Sequence, residues 1–114
     1  MEIKIKDVNE LETLVLNLTF YDDNNKITVA NSLSYIIVDV DSETVILTVN
    51  NFTVNAQTYV LVVPFAKNAI INPVSTGEDK IINIIFTYLN GTRQGTYDYK
   101  YRVRNLGIAT PFQV

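Results

Sequence analysis

Ile81-Ile82-Asn83-Ile84-Ile85-Phe86-Thr87-Tyr88-Leu89-Asn90-Gly91 and, shortly after, Tyr97-Asp98-Tyr99-Lys100-Tyr101-Arg102-Val103-Arg104 decide the fold. The first run is β-branched and aromatic, as a well-buried strand should be. Asn90-Gly91 is a strong hairpin signal, because both residues tolerate positive φ. The second run alternates without a fault. Tyr97, Tyr99, Tyr101 and Val103 share one face; Asp98, Lys100, Arg102 and Arg104 share the other. Residues 80–104 therefore read as one long β-hairpin.

The same period-two reading extends outward. Ile3 and Ile5 alternate with Glu2, Lys4 and Lys6, which suits a short edge strand. Residues 12–21 form a second strand with Leu14, Leu16, Leu18 and Phe20 inward. Asp22-Asp23-Asn24-Asn25 is a turn cluster. Residues 33–40 form a third strand, with Leu33, Tyr35 and Ile37 inward. Asp41-Ser42 turns the chain into residues 43–49, and Asn50-Asn51 ends that strand. Residues 57–65 follow, with Tyr59, Leu61, Val63 and Phe65 on one face. Residues 66–79, with Pro73 and Gly77, read as a long connection crossing between sheets. No window carries a helical apolar period. The expectation is an all-β chain: a β-sandwich of about seven antiparallel strands, of the immunoglobulin or fibronectin type III kind. Residues 1–106 make a single domain and residues 107–114 an extended tail.

Composition narrows the chemistry. Histidine, cysteine and tryptophan are all missing from the 114 residues. That removes the commonest general base and metal ligand, the thiol nucleophile and any disulfide. Four scattered glycines cannot build a phosphate loop. No enzymatic activity and no cofactor are expected. Asp39, Asp41 and Glu43 alternate and could offer oxygen ligands to Ca²⁺, but the spacing reads first as a polar turn between strands. The Tyr97, Tyr99, Tyr101 row could stack bases or sugars; its alternation with charges argues for core packing instead. A net charge of −3 argues against nucleic acid as a partner. No apolar run reaches membrane-spanning length, and Met1-Glu2-Ile3-Lys4 does not open a signal peptide. Synthesis in the cytosol is therefore expected.

One feature departs from a simple sandwich. Ile36, Val38 and Val40 lie opposite Leu33, Tyr35 and Ile37 on their strand. Ile81, Ile85 and Leu89 lie opposite Ile82, Ile84, Phe86 and Tyr88. Val60 and Val62 stand opposite Tyr59 and Leu61. A two-layer sandwich buries only one face of each sheet. In a sandwich of this kind the strands of Ile36 and Ile85 are neighbours, so their outer residues merge into one patch. Ile36, Val38, Val40, Ile81, Ile85 and Leu89 are the candidate protein interface, to be covered by a partner protein or by a second copy in a homo-oligomer.

Leu33-Ser34-Tyr35, Asp39-Val40-Asp41-Ser42-Glu43-Thr44-Val45-Ile46 and Tyr99-Lys100-Tyr101-Arg102-Val103-Arg104-Asn105-Leu106 carry a resemblance. With Asn68-Ala69-Ile70 and Tyr88-Leu89-Asn90-Gly91, they resemble a group of small bacteriophage proteins with a single Ig/fibronectin-III-like domain. The resemblance runs from about Val15 to Leu106 and rests on strand patterns. It implies a virion structural protein, assembled in the host cytoplasm and present in many copies. Other virion proteins of the capsid, neck or tail are the implied partners. It brings no catalytic residues. A module binding host-surface glycans or receptors is the alternative on the same scaffold. It would need aromatic loop tips, and Phe52 is the one aromatic candidate in the expected loops 22–31, 50–56 and 91–96.

Overall fold

The computed structural model describes residues 6–105. Seven strands are present among them: β1 (Lys6–Asn9), β2 (Leu14–Thr19), β3 (Ala30–Asp39), β4 (Val45–Ala56), β5 (Thr58–Val63), β6 (Gly77–Tyr88) and β7 (Arg93–Arg104). A 3-10 turn, Phe65–Asn68, is the one helical element described. The chain is all-β. The expected edge strand at Ile3 and Ile5 and the tail at 107–114 lie outside the described residues.

The strands form a five-stranded sheet in the order β1-β7-β6-β3-β4 and a two-stranded sheet, β2-β5. β1 runs parallel to β7, which corrects the expectation of antiparallel strands throughout; every other pair is antiparallel. The expected hairpin is β6–β7, paired in register from Gly77↔Arg104 to Tyr88↔Arg93. Asn90 and Gly91 take φ of 57° and 81°, and Thr92 N donates to Leu89 O at 3.1 Å. These are the φ values of a type I′ turn. The return strand starts at Arg93 rather than Tyr97, so there is almost no connection between the turn and the ladder.

Inward residues of both sheets meet in one core. Leu14, Leu16, Leu18 and Phe20 come from β2 and the residue after it; Leu61 and Val63 from β5; Leu33 and Ile37 from β3; Ile82, Ile84, Phe86 and Tyr88 from β6; Tyr101 and Val103 from β7. Phe86 is the hub of an aromatic group, with ring centroids 4.9 Å from Phe20 and 5.2 Å from Tyr97. The tyrosine row faces this core. Tyr101 is fully buried, and Tyr97 and Tyr99 pack against the cluster.

Two further expectations are corrected. β4 does not end at Asn50-Asn51; it runs on to Ala56, so residues 50–56 are strand and not loop. Phe52 pairs with Leu33 and packs on Tyr59 with ring centroids 5.5 Å apart, which holds the Asn-rich run extended. Three register shifts against β3 absorb its extra residues as bulges. Phe65 is not inward but 59% exposed. Pro64 follows β5, and the 3-10 turn rotates Phe65 away from the core.

Candidate docking surface

The outer face of the five-stranded sheet is built by alternation on β3 and β6. Val38 pairs with Ile81, Ile36 with Asn83, and Ser34 with Ile85. On β4, Val45 stands opposite Val38, extending the row to Val45–Val38–Ile81. Lys100 of β7 closes it. None of Ile36, Val38 or Ile85 belongs to the core. Ile85 is 40% exposed and Val45 53%, while Ile36, Val38 and Ile81 are half-buried by their neighbours. Val40 sits just past β3, bonded through its N–H to Asp79 O at 3.0 Å. Leu89 does not join the group. It lies in the hairpin turn with φ of 52°, about 13 Å along the strand from Ile85. Val45 was not among the sequence candidates; its pairing with Val38 only emerges from the register.

Beside this row an open groove of about 320 Å³ runs along β3, lined by Ser34, Ile36, Thr48, Asn50, Asn83 and Ile85. Its lining is uncharged and amide-rich, and Asn83 donates from it to the Asp98 carboxylate of β7. The surface therefore offers dispersion contact at one end and hydrogen bonds at the other, the usual make-up of a protein-binding patch. Its lining includes no carboxylate, imidazole or thiol.

A half-exposed ion pair, Arg102 with Asp79 at 2.9 Å, lies next to the row on the same face, and a second charge network is buried on the inner face. Lys80 is fully enclosed on the inner face of β6. Its Nζ lies 2.7 Å from Asp39 Oδ1 and 2.9 Å from Glu78 Oε1. Asp39 Oδ2 also accepts from Ser42 N at 2.9 Å and Ser42 Oγ at 2.6 Å. Glu78 accepts from Ile71 N at 2.9 Å and Asn72 N at 2.6 Å. Burial pushes both carboxyls up, but hydrogen bonds outweigh it. Those from Lys80 and Ser42 hold Asp39 below its ordinary range; those from Ile71, Asn72 and Lys80 do so for Glu78. Asp41 and Glu43 are exposed in the turn, so the acidic triplet splits between core and solvent. Among the described residues, no cluster of acidic groups gathers as a metal cage.

The sequence reading puts residue 78 in the connection 66–79 and gives Lys80 no partner, so the network does not emerge from it. β6 starts at Gly77, and alternation places Glu78 and Lys80 on the same face as Ile82 and Ile84. The sequence signal was present in Glu78-Asp79-Lys80, but it needed a partner 41 residues away to make sense.

The hydroxyls of the tyrosine row tie the layers together. Tyr97 Oη donates to Thr19 O and accepts from Tyr21 N, both at 3.1 Å. Tyr101 Oη donates to Asn68 Oδ1 at 2.8 Å. Burial pushes both phenols above their ordinary value. Tyr97 and Tyr101 are structural anchors between the layers.

No family model, curated protein or solved structure matches this chain.

Proposed function

We propose that this chain is a non-enzymatic structural or accessory component of a bacteriophage particle, a capsid decoration, neck or tail protein. It docks on another virion protein through the outer face of β3 and β6. The row Val45–Val38–Ile81, flanked by Ile36 and Ile85, carries the reading. β-branched residues suit any strand, but Val45, Val38 and Ile81 side by side across β4, β3 and β6 make a contiguous apolar row, and such a patch on an outer face marks an interaction surface. The particle context rests on the resemblance of the Leu33, Asp39 and Tyr99 segments to small phage proteins. Site of action in the virion and presence in many copies follow from the same resemblance.

The sandwich is of the immunoglobulin-like kind in this reading. Support comes from strand order: a terminal strand parallel to the last, β7-β6-β3-β4 in one layer, and β2-β5 in the other.

Ile85→Lys tests the docking. Ile85 is 40% exposed and outside the core, so the fold should lose no more than about 0.5 kcal/mol. The variant should fail to co-purify with capsid, neck or tail components that retain the wild-type chain. Equal retention of the two would reject the surface. Binding to a glycan array, untouched by Ile85→Lys, would favour the alternative module.

A further inference from the structure

β2 and β5 make a sheet of only two strands, which is marginal on its own. Among the described residues each has one strand neighbour. β5 is the better platform for another. Its residues Thr58–Val63 pair with β2 in six consecutive registers without a bulge. It contains no charge and no proline, so it lacks the devices that keep an edge from being extended. Its outward Val60 and Val62 are 53% and 45% exposed, and Val15, paired with Val62, is 47% exposed. β4 is the longer edge, but its three register shifts break the ladder that an added strand would need.

The chain holds a segment of matching character. Residues 106–114 read Leu-Gly-Ile-Ala-Thr-Pro-Phe-Gln-Val. Leu106, Ile108, Thr110, Phe112 and Val114 fall on one parity, and Gly107, Ala109, Pro111 and Gln113 on the other. In an extended chain, residues of one parity aim their N–H and C=O at the same edge. If the even-numbered residues bond to β5, Pro111 faces away and loses no ladder bond. It also blunts the new edge against further growth.

Position decides which copy receives it. β5 and β7 finish at the same end of the molecule. Glu10 N donates to Arg104 O at 3.0 Å, Leu11 N donates to Asn68 O at 2.9 Å, and Leu14 pairs with Val63. Asn105 pins the exit, its N–H on Thr76 O and its side-chain amide on Pro73 O and Ser75 O. Continuing the direction of β7 leads beyond that end. Lying on its own β5 would require a reversal and a crossing between layers within a reach of ~30 Å. A neighbouring copy placed at that end needs neither.

We propose that residues 106–114 of one copy add as a strand to the free edge of β5 in a second copy. Donor and acceptor surfaces differ, so the contact is head-to-tail and repeats into a ring or filament. It uses a surface separate from the β3–β6 face and stands without it.

Sedimentation velocity on the full chain, over a concentration series, tests this. The mean mass should rise above the monomer with concentration. The double variant Ile108→Asp with Phe112→Asp, which changes nothing in β1 to β7, should stay monomeric throughout. A synthetic peptide of residues 106–114 should return the wild-type assembly to monomer and protect β5 amides of the double variant from hydrogen exchange. A monomeric wild type, equal association by the double variant, or peptide protection on β4 instead of β5 would overturn it. So would β5 protection in the wild type that does not vary with concentration, since the strand would then come from the same copy.

Discussion

Gly95 faces Phe86 across β6 and β7, and a methyl group there would run into the ring. Phe86 is buried at the centre of the aromatic group, so it cannot swing aside. Gly95→Ala should therefore cost about 1–3 kcal/mol by overpacking, read as a lower urea midpoint at unchanged slope. Lys80 is the other decisive residue. Lys80→Met leaves Asp39 and Glu78 buried without their cation, a loss of about 3–5 kcal/mol. The pH dependence has a definite sign. Folded Asp39 and Glu78 lie below their ordinary 3.8 and 4.5. Their contribution is complete above those values and is lost as pH falls through them, because the unfolded chain then binds more protons. Urea midpoints of the wild type should fall as pH drops below about 5. In Lys80→Met the fall should be smaller, since burial without the cation pushes the carboxyls back up. An equally steep fall in the variant would show that Lys80 does not set the shift.

At the scale of the element, β7 gives two tyrosines on one face, Tyr97 and Tyr101, different duties. Tyr101 bonds the buried Asn68, whose amide in turn donates to Glu12 O at 2.7 Å. Tyr101→Phe strands Asn68 Oδ1 in the core and should cost about 1–3 kcal/mol. Tyr97→Phe removes one link to Thr19 and one to Tyr21, near the sandwich rim, and should cost about 0.5–1.5 kcal/mol. A ranking with Tyr97→Phe the more damaging would contradict this assignment. β4 shows another kind of element-level control. Its Asn50, Asn51 and Asn55 favour turns, yet Phe52 and Val54 pack against the core and keep the strand extended. Tertiary contact overrides local preference there.

For the molecule as a whole, a two-stranded sheet and a five-stranded sheet share a single core. Neither layer has an apolar interior of its own. Unfolding should therefore be one cooperative step, with calorimetric and van't Hoff enthalpies equal. A separate early transition for β2 and β5 would refute that. Leu61 and Val63 of β5 and Leu16 and Leu18 of β2 fill the same space as Ile82, Ile84 and Phe86, so the layers cannot part without opening it. Of the two surfaces proposed for binding, one is the outer face of the larger layer and the other is the β5 edge of the smaller one. Each can engage a partner without disturbing the core.

Period-two alternation is a local property, and what depends on it was legible. The inward faces of β2, β6 and β7 and the turn at Asn90-Gly91 follow from parity and turn chemistry, while the crossing between layers and the adjacency of β3 and β6 were expected only through the sandwich topology. The candidate patch was legible for the same reason, except Leu89, whose turn geometry takes it out of the row. Tertiary structure decided what parity cannot carry. Lys80 is inside because Asp39 arrives beside it from 41 residues away. Phe65 is outside because Pro64 breaks the strand before it, and β4 continues because Phe52 finds Tyr59. Local alternation sets which side a residue faces only while the strand lasts; whether that side holds a charge partner, a ring or water depends on chain that is distant in sequence and near in space.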